Sequence, residues 1–404
     1  MKTIAVIGTL DSKGHEHAFL AEEIQKRGHK PMLIDLGTGS DPCVSPDITR
    51  YEVAAAAGLD LQPLLDRSDR GECVVAMSQA IPHCLEKLVR ENQIHGVISL
   101  GGGGGTALAT AGMRALPIGF PKVMVSTLAS GNTAHYLGTK DITMMPSIVD
   151  VAGLNRVSKM VFSRAAATIC AMVDTEVEAI DAKPIIAASM FGNTTECIDH
   201  ARKLLENAGY EVLVFHATGT GGKAMEDLIA SGMVTGVLDI TTTEWADELV
   251  GGTLSAGPTR LDAAATAGIP AVIAPGCLDM VNFGAKESVP EKFAERKFYI
   301  HNPQVTLMRT TSEECAKLGE IIAEKANRST APVTLMIPEK AISIISAEGQ
   351  PFYDREADDA LFAAIRKHAQ VPVVSFPETI NSRAFAEAAA HQLLQNIQSH
   401  SNQK

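Results

Sequence analysis

The chain has 404 residues, of which 46% are hydrophobic and only 4% aromatic, and it carries a net charge of −12. That length exceeds one ordinary core and predicts two domains; the acidic balance argues against nucleic acid or an anionic membrane surface as the principal partner. Seven cysteines, an odd number without a CxxC pair, point to reduced thiols in a cytoplasm rather than to disulfides or a zinc site, and no window approaches the ~20 apolar residues that span a bilayer.

Strand-like and helix-like stretches alternate from the start. Ile4–Ile7 reads as a strand, His15–Arg27 as a helix with Phe19, Leu20 and Ile24 on one face, and Pro31–Leu36 as the next strand after Gly28. A helix around Ile81–Arg90 leads into the strand Val97–Leu100, and Lys122–Ser126 follows Pro121 as another strand. This is the rhythm of parallel βαβ units.

The pattern then returns. Ile4–Ile7 through Leu36 matches Ile185–Ala188 through Ala217 at an offset of 181; His95–Ile98 resembles Thr235–Leu238, and Pro121–Val125 resembles Pro270–Ala274. The expected fold class is therefore α/β, with two Rossmann-like open parallel-sheet domains, residues 1–180 and 181–404, related by a diverged duplication. Asn155–Met172 reads as a helix before the join, and the acidic stretch Asp174–Asp181 loses apolar periodicity. Further elements are expected at Val333–Ile337, Asp358–His368, Val371–Phe376 and Arg383–Ile397, with fraying from Ser399.

In open parallel sheets, ligands gather at the carboxyl ends of the strands. Four loops of the first half should meet there. Thr9–Gly14 contributes Asp11, Ser12, Lys13 and Gly14, and Gly37–Ser40 contributes Thr38 and Gly39. The third loop is a run of five glycines, Gly101, Gly102, Gly103, Gly104 and Gly105, followed by Thr106; the fourth, Ser126–Thr133, contributes Ser126, Thr127, Ser130 and Gly131. Glycine lets successive amides turn toward one point, and a helix start adds free N–H groups and a positive dipole end. A phosphate or carboxylate is the ligand expected, with Lys13 supplying positive charge and Asp11 the nearest carboxylate for Mg²⁺. Polar strand-to-helix loops are common for capping alone, so the glycine run carries most of this weight.

The usual nucleotide fingerprints fit badly. Gly219–Lys223 has neither the spacing nor the Ser/Thr of a P-loop, and no Asp or Glu occurs from Asn92 to Lys140 to hold a dinucleotide ribose. In the second half, Gly219–Lys223 is expected to hold a second anion, and Glu244, His301 and Arg309 are the candidate catalytic residues. Cys277 offers a nucleophile in a Gly-Cys loop, although free cysteine is more often a small hydrophobe. No spacing specifies a metal set; Asp279, Glu244 and His301 would be its members.

Long stretches carry a resemblance. Ile4–Glu16, the glycine run with Thr106, Ser126–Asn132, Met144–Arg156, Pro275–Gly284 and His301–Thr311 resemble the Tm-one-like (tomato mosaic virus resistance protein-like) ATP-binding domain family, an uncharacterised family. The resemblance spans essentially the whole chain. It implies two Rossmann-like domains, a homodimer, and ATP bound by the N-terminal domain. Three readings stand at this point. One is a nucleotide-binding protein with ATP, with or without Mg²⁺, on the glycine loop. Another is an enzyme acting on a small phosphorylated or carboxylated metabolite between the domains. The third is a non-catalytic interaction module, its glycine loop only a packing turn.

Overall fold

The computed structural model describes residues 1–67, 69–176 and 183–402. The chain divides into two units, Met1–Ala179 and Ile180–Lys404. Residues 177–182, which include most of the acidic join, lie outside the described residues.

In the first unit the elements are β1 (Thr3–Gly8), α1 (Leu10–Lys26), β2 (Lys30–Asp35), α2 (Arg50–Ala56), α3 (Gln62–Asp66), α4 (Arg70–Arg90), β3 (Gly96–Gly101), α5 (Gly103–Ala115), β4 (Lys122–Ser126), α6 (Ala134–Leu137), β5 (Thr143–Pro146) and α7 (Arg156–Asp174). The strands form one parallel sheet in the order β2-β1-β3-β4-β5. Alternate residues point to opposite faces of a strand, and both faces are apolar. Ile4, Val6, Ile98 and Val123 meet Leu20 and Ile24 of α1 and Phe162, Ala166 and Ile169 of α7. On the other face, Ala5, Ile7, Val97 and Met124 meet Met77, Ile81 and Leu85 of α4 and Leu108 and Met113 of α5. Burial on both faces is why these strands read as continuous apolar runs.

The second unit holds β6 (Ile185–Met190), α8 (Thr195–Asn207), β7 (Glu211–His216), α9 (Thr220–Ala230), β8 (Val234–Thr241), α10 (Glu244–Val250), α11 (Asp262–Ala267), β9 (Ala271–Gly276), β10 (Met280–Phe283), β11 (Phe298–Asn302), β12 (Val305–Arg309), α12 (Ser312–Asn327), β13 (Val333–Pro338), α13 (Arg355–His368), β14 (Val373–Phe376) and α14 (Arg383–Ser401). Its main sheet runs β7-β6-β8-β9-β13-β14, the order of the first sheet with one strand added. Between β9 and β13 the chain inserts a small antiparallel sheet, β10-β12-β11, and α12.

The sequence repeats fall on equivalent strands, as a diverged duplication predicts, with one adjustment. Ile4 lies opposite Pro31 and Gly96; the residue opposite Val212 and Gly236 is Ile186, not Ile185. The first strand is therefore offset by one residue more than the pattern match gave. A slip of one residue exchanges the two faces of a strand, and strands buried on both faces hide it.

Helix boundaries differ more. α1 begins at Leu10 rather than His15, so Ser12 lies in a first helical turn and Lys13 at the kink that follows it. Its first turn is irregular: Lys13 sits at φ −131°, and the Lys13 carbonyl accepts from His17 Nδ1 at 2.7 Å. α4 extends back to Arg70 through Pro82, and α14 runs to Ser401 where fraying was expected.

Candidate functional site

The order of the first sheet reverses between β1 and β3, the switch point at which open α/β sheets form a crevice. α5 starts there, at the end of β3. Its N-cap, Gly102, has no side chain to cap the first amides, and Thr106 N–H is the first to find an acceptor, the Gly102 carbonyl at 2.8 Å. The amides of Gly103, Gly104 and Gly105 thus have no intrahelical partner.

These glycines are not needed for the reason their sequence suggests. None of Gly101–Gly105 has a left-handed φ. A Cβ on Gly101 would press on Gly105 at 3.1 Å, but on Gly102, Gly103 and Gly105 it would meet nothing closer than 3.7 Å, and on Gly104 nothing within 4 Å. Neither backbone conformation nor packing requires glycine at 102–105. What their missing side chains provide is bare backbone on the wall of a cavity of about 610 Å³.

That cavity gathers most of the residues expected to bind a cofactor. Asp11, Ser12, Lys13, Thr38, Gly39 and Gly101–Gly105 all line it, with Thr9 and Ser40 beside them. Asp11 Oδ2 accepts from Gly39 N–H at 2.9 Å, tying the loop after β2 to the start of α1. Beneath, Asp35 at the end of β2 is saturated: Oδ1 accepts from Leu10 and Gly37 N–H, and Oδ2 from buried Arg50 at 2.7 Å. Lys13 makes no ion pair with a described residue. Leu65, Val74 and Leu108 add apolar surface to its lining. Sequence reasoning missed those three, because nothing separates a leucine facing a cavity from one facing the core.

Other expected residues lie elsewhere. Gly14 is buried, and a Cβ there would meet Cys43 Sγ at 2.6 Å, so it serves packing. Thr106 is also buried, its hydroxyl 2.7 Å from that of Ser126. Ser126, Thr127 and Ser130 line a second cavity, of about 490 Å³, with Pro146 at the end of β5 and Ser147–Asp150 beyond it. Gly131 is exposed, in a turn closed by its N–H on the Leu128 carbonyl at 3.0 Å.

The second unit corrects several expectations. Glu244, the first residue of α10, is buried and already bonded: Oε1 accepts from the amides of Gly219 (2.7 Å) and Gly222 (3.1 Å), and Oε2 from Arg260 Nε (2.7 Å). The anion expected on Gly219–Lys223 is thus the chain's own carboxylate. Arg260, also buried, holds Asp239 through both terminal nitrogens at 2.6 Å and reaches Glu226 at 3.1 Å. No pattern in the loop before α11 marks Arg260 as the centre of this network.

Arg309 is equally committed. Its guanidinium donates to the Phe352 carbonyl, the Thr310 hydroxyl and Asp358 Oδ1, the last at 2.7 Å. Burial pushes the Asp358 carboxyl up to about 7 against the pull of Arg309. His301 stands exposed on β11 with no hydrogen bond or ion pair to Glu244 or Arg309. The structure therefore does not join His301, Arg309 and Glu244 into a catalytic set, since two of them are spent on internal ion pairs. Cys277, at φ +60°, is wholly buried among Met280, Leu307 and Phe352, and burial pushes its thiol well above the usual range. It packs as a core residue. Among the described residues no group of three or more His, Cys, Asp or Glu could hold a metal ion, and no helix is long and apolar enough to cross a membrane.

Two parallel sheets of one strand order, each flanked by helices, define a two-domain Rossmann-like α/β protein with a glycine-walled crevice at the first switch point. The chain belongs to the uncharacterised protein family UPF0261, whose N-terminal domain matches residues 2–178 and whose C-terminal domain matches residues 183–397. It is 49% identical to the UPF0261 protein of Clostridium tetani over 97% of this chain and 98% of that one. The ToMV resistance protein Tm-1(GCR237) of Solanum lycopersicum is 40% identical over 96% of this chain, which spans 55% of the tomato protein. A UDP-N-acetylglucosamine 2-epimerase from Rickettsia bellii aligns over 100% of this chain and 97% of that one, but at 12% identity and a TM-score of 0.23, so the match carries no functional argument.

Proposed function

We propose that the first unit binds a nucleotide, ATP in particular, with its phosphates on the N-terminus of α5. The observation that carries this reading is the bare stretch Gly102–Gly105, which no internal contact or left-handed φ requires, facing a cavity. Free helix amides and the positive end of a helix dipole bind anions, and Lys13 adds a cation that makes no ion pair with a described residue. A volume of about 610 Å³ suits a small ligand. Leu65, Val74 and Leu108 give a base an apolar wall, while Thr38 and Ser40 offer hydroxyls to a sugar. Saturation of Asp35 speaks against a dinucleotide, because that position commonly reads a ribose hydroxyl in Rossmann folds. Asp11 is the carboxylate on the wall that could meet Mg²⁺ beside the phosphates.

Calorimetric titration of the full chain with ATP, with and without Mg²⁺, tests this reading. Saturable binding that Gly104→Val removes while the melting temperature holds is the expected result. An absence of heat together with an unchanged melting temperature sinks it and favours the interaction module. Sedimentation of the same sample tests the homodimer that the family resemblance implies.

A further inference from the structure

Glu244 occupies a telling position. Counting along the equivalent strands β3 and β8, where Gly96 corresponds to Gly236, places Gly104 at Glu244. As first residues of the helices leaving those strands, Gly103 corresponds to Glu244. By either count, the second unit grows a carboxylate where the first leaves bare backbone. That carboxylate does not cap its own short helix. It reaches the start of α9, an 11-residue helix, and takes the amides of Gly219 and Gly222 together with Arg260 Nε. Contact is close: a Cβ on Gly222 would lie 2.1 Å from Glu244 Oε2.

We propose that the switch point of the second unit is a carboxylate seat filled by the chain's own Glu244, which leaves each chain a single nucleotide site, that of Gly103–Gly105. The seat suits a singly charged carboxylate. Two backbone amides and one guanidinium nitrogen converge on it, while Asp239 and Glu226 already share the remaining Arg260 nitrogens. A second or third negative charge there would face those two acids at short range, so a nucleotide polyphosphate is disfavoured even when the seat is emptied. The count of one nucleotide per chain rests on the proposed function above; the internal filling of the seat does not.

Glu244→Ala in the full chain removes the atoms that acetate would restore. The expected result is a lowered melting temperature that sodium acetate recovers saturably, well beyond its effect on the wild type at matched ionic strength, with inorganic phosphate recovering less. Glu244→Gln, which keeps the seat filled, should not respond to acetate. A folded Glu244→Ala protein that gains no more from acetate than the wild type overturns the proposal, as does an equal response from Glu244→Gln. Should Glu244→Ala fold only with acetate present, the seat is supported. Should it fold under neither condition, ATP stoichiometry decides without altering Glu244: one ATP per chain in the wild type and none in Gly104→Val supports the proposal, whereas two per chain, or one surviving in Gly104→Val, overturns it. A wild type that binds no ATP defeats the nucleotide reading and with it the count of one site per chain, while acetate rescue of a Glu244→Ala protein that folds still decides the seat.

Discussion

Two glycine-rich turns in this chain look alike on paper and differ in physical reason. In the second unit, glycine at 219, 221 and 222 is compelled from within. Gly219 has φ +81°, and a Cβ on Gly221 or Gly222 would lie 1.8 Å from the His216 carbonyl oxygen or 2.1 Å from the Glu244 carboxylate. In the first unit, Gly102–Gly105 answer to no such contact. The turn of the second unit is packed against its own chain, and that of the first unit stays bare. A glycine-rich motif alone thus does not say whether its backbone is bare or already packed against the fold.

The largest expected effect breaks the packed turn through its charges. Arg260→Met leaves Glu244 and Asp239 buried without their cation, and removing one partner of such a network costs about 3–5 kcal/mol. Urea unfolding should show that loss, with ATP binding by the first unit retained in the protein that remains folded.

Proton linkage gives the next effect, and it belongs to the same region. Burial pushes Asp247, one turn after Glu244, up to about 7 from 3.8, and Asp358 likewise to about 7. A raised carboxyl value means that the folded state keeps a proton which the unfolded chain releases. Stability therefore falls as pH rises from about 4 to about 7 and levels off above that, by up to about 4 kcal/mol per group. Asp247→Asn should flatten this slope in urea unfolding between pH 4 and 8.

Gly222→Ala and Gly104→Ala then compare the two turns directly. The first should destabilise by about 1–3 kcal/mol, because the methyl group and the Glu244 carboxylate claim one space. The second should change stability by less than about 1 kcal/mol in either direction, since alanine suits a helix turn with room around it. Equal losses in thermal unfolding would erase the distinction between the turns. In calorimetry, Gly104→Val should remove detectable ATP binding. Lys13→Ala should weaken it less, by roughly 1 kcal/mol for a partly exposed charged contact, and leave the melting temperature in place.

Much of the fold was legible because both sheets are buried on two faces. Apolar runs such as Ile4–Ile7 and Lys122–Ser126 marked strands, and their repeats marked two related units. That the glycines, Ser12, Lys13, Thr38 and Gly39 line one cavity was legible too, because strand-to-helix loops of an open sheet converge at its carboxyl edge. The early start of α1 was hidden by the Gly-Thr-Leu-Asp sequence, which reads as a turn until Leu10 is seen to be buried. Glu244 and Arg309, the charged residues read as catalytic candidates, are partners in buried ion pairs, and such a partner looks the same in sequence as an active-site acid or base.

What the sequence determined by itself is local and periodic: strand identity, the βαβ rhythm, the duplicated pattern and a loop without side chains. Tertiary structure alone decided occupancy. Glu244 meets Gly219, Gly222 and Arg260 across separations of 16 to 25 residues, and Asp35 is saturated by Leu10 and Arg50. Whether a polar group is free for a ligand or consumed by the fold depends on which distant donor reaches it, and only the folded chain fixes that.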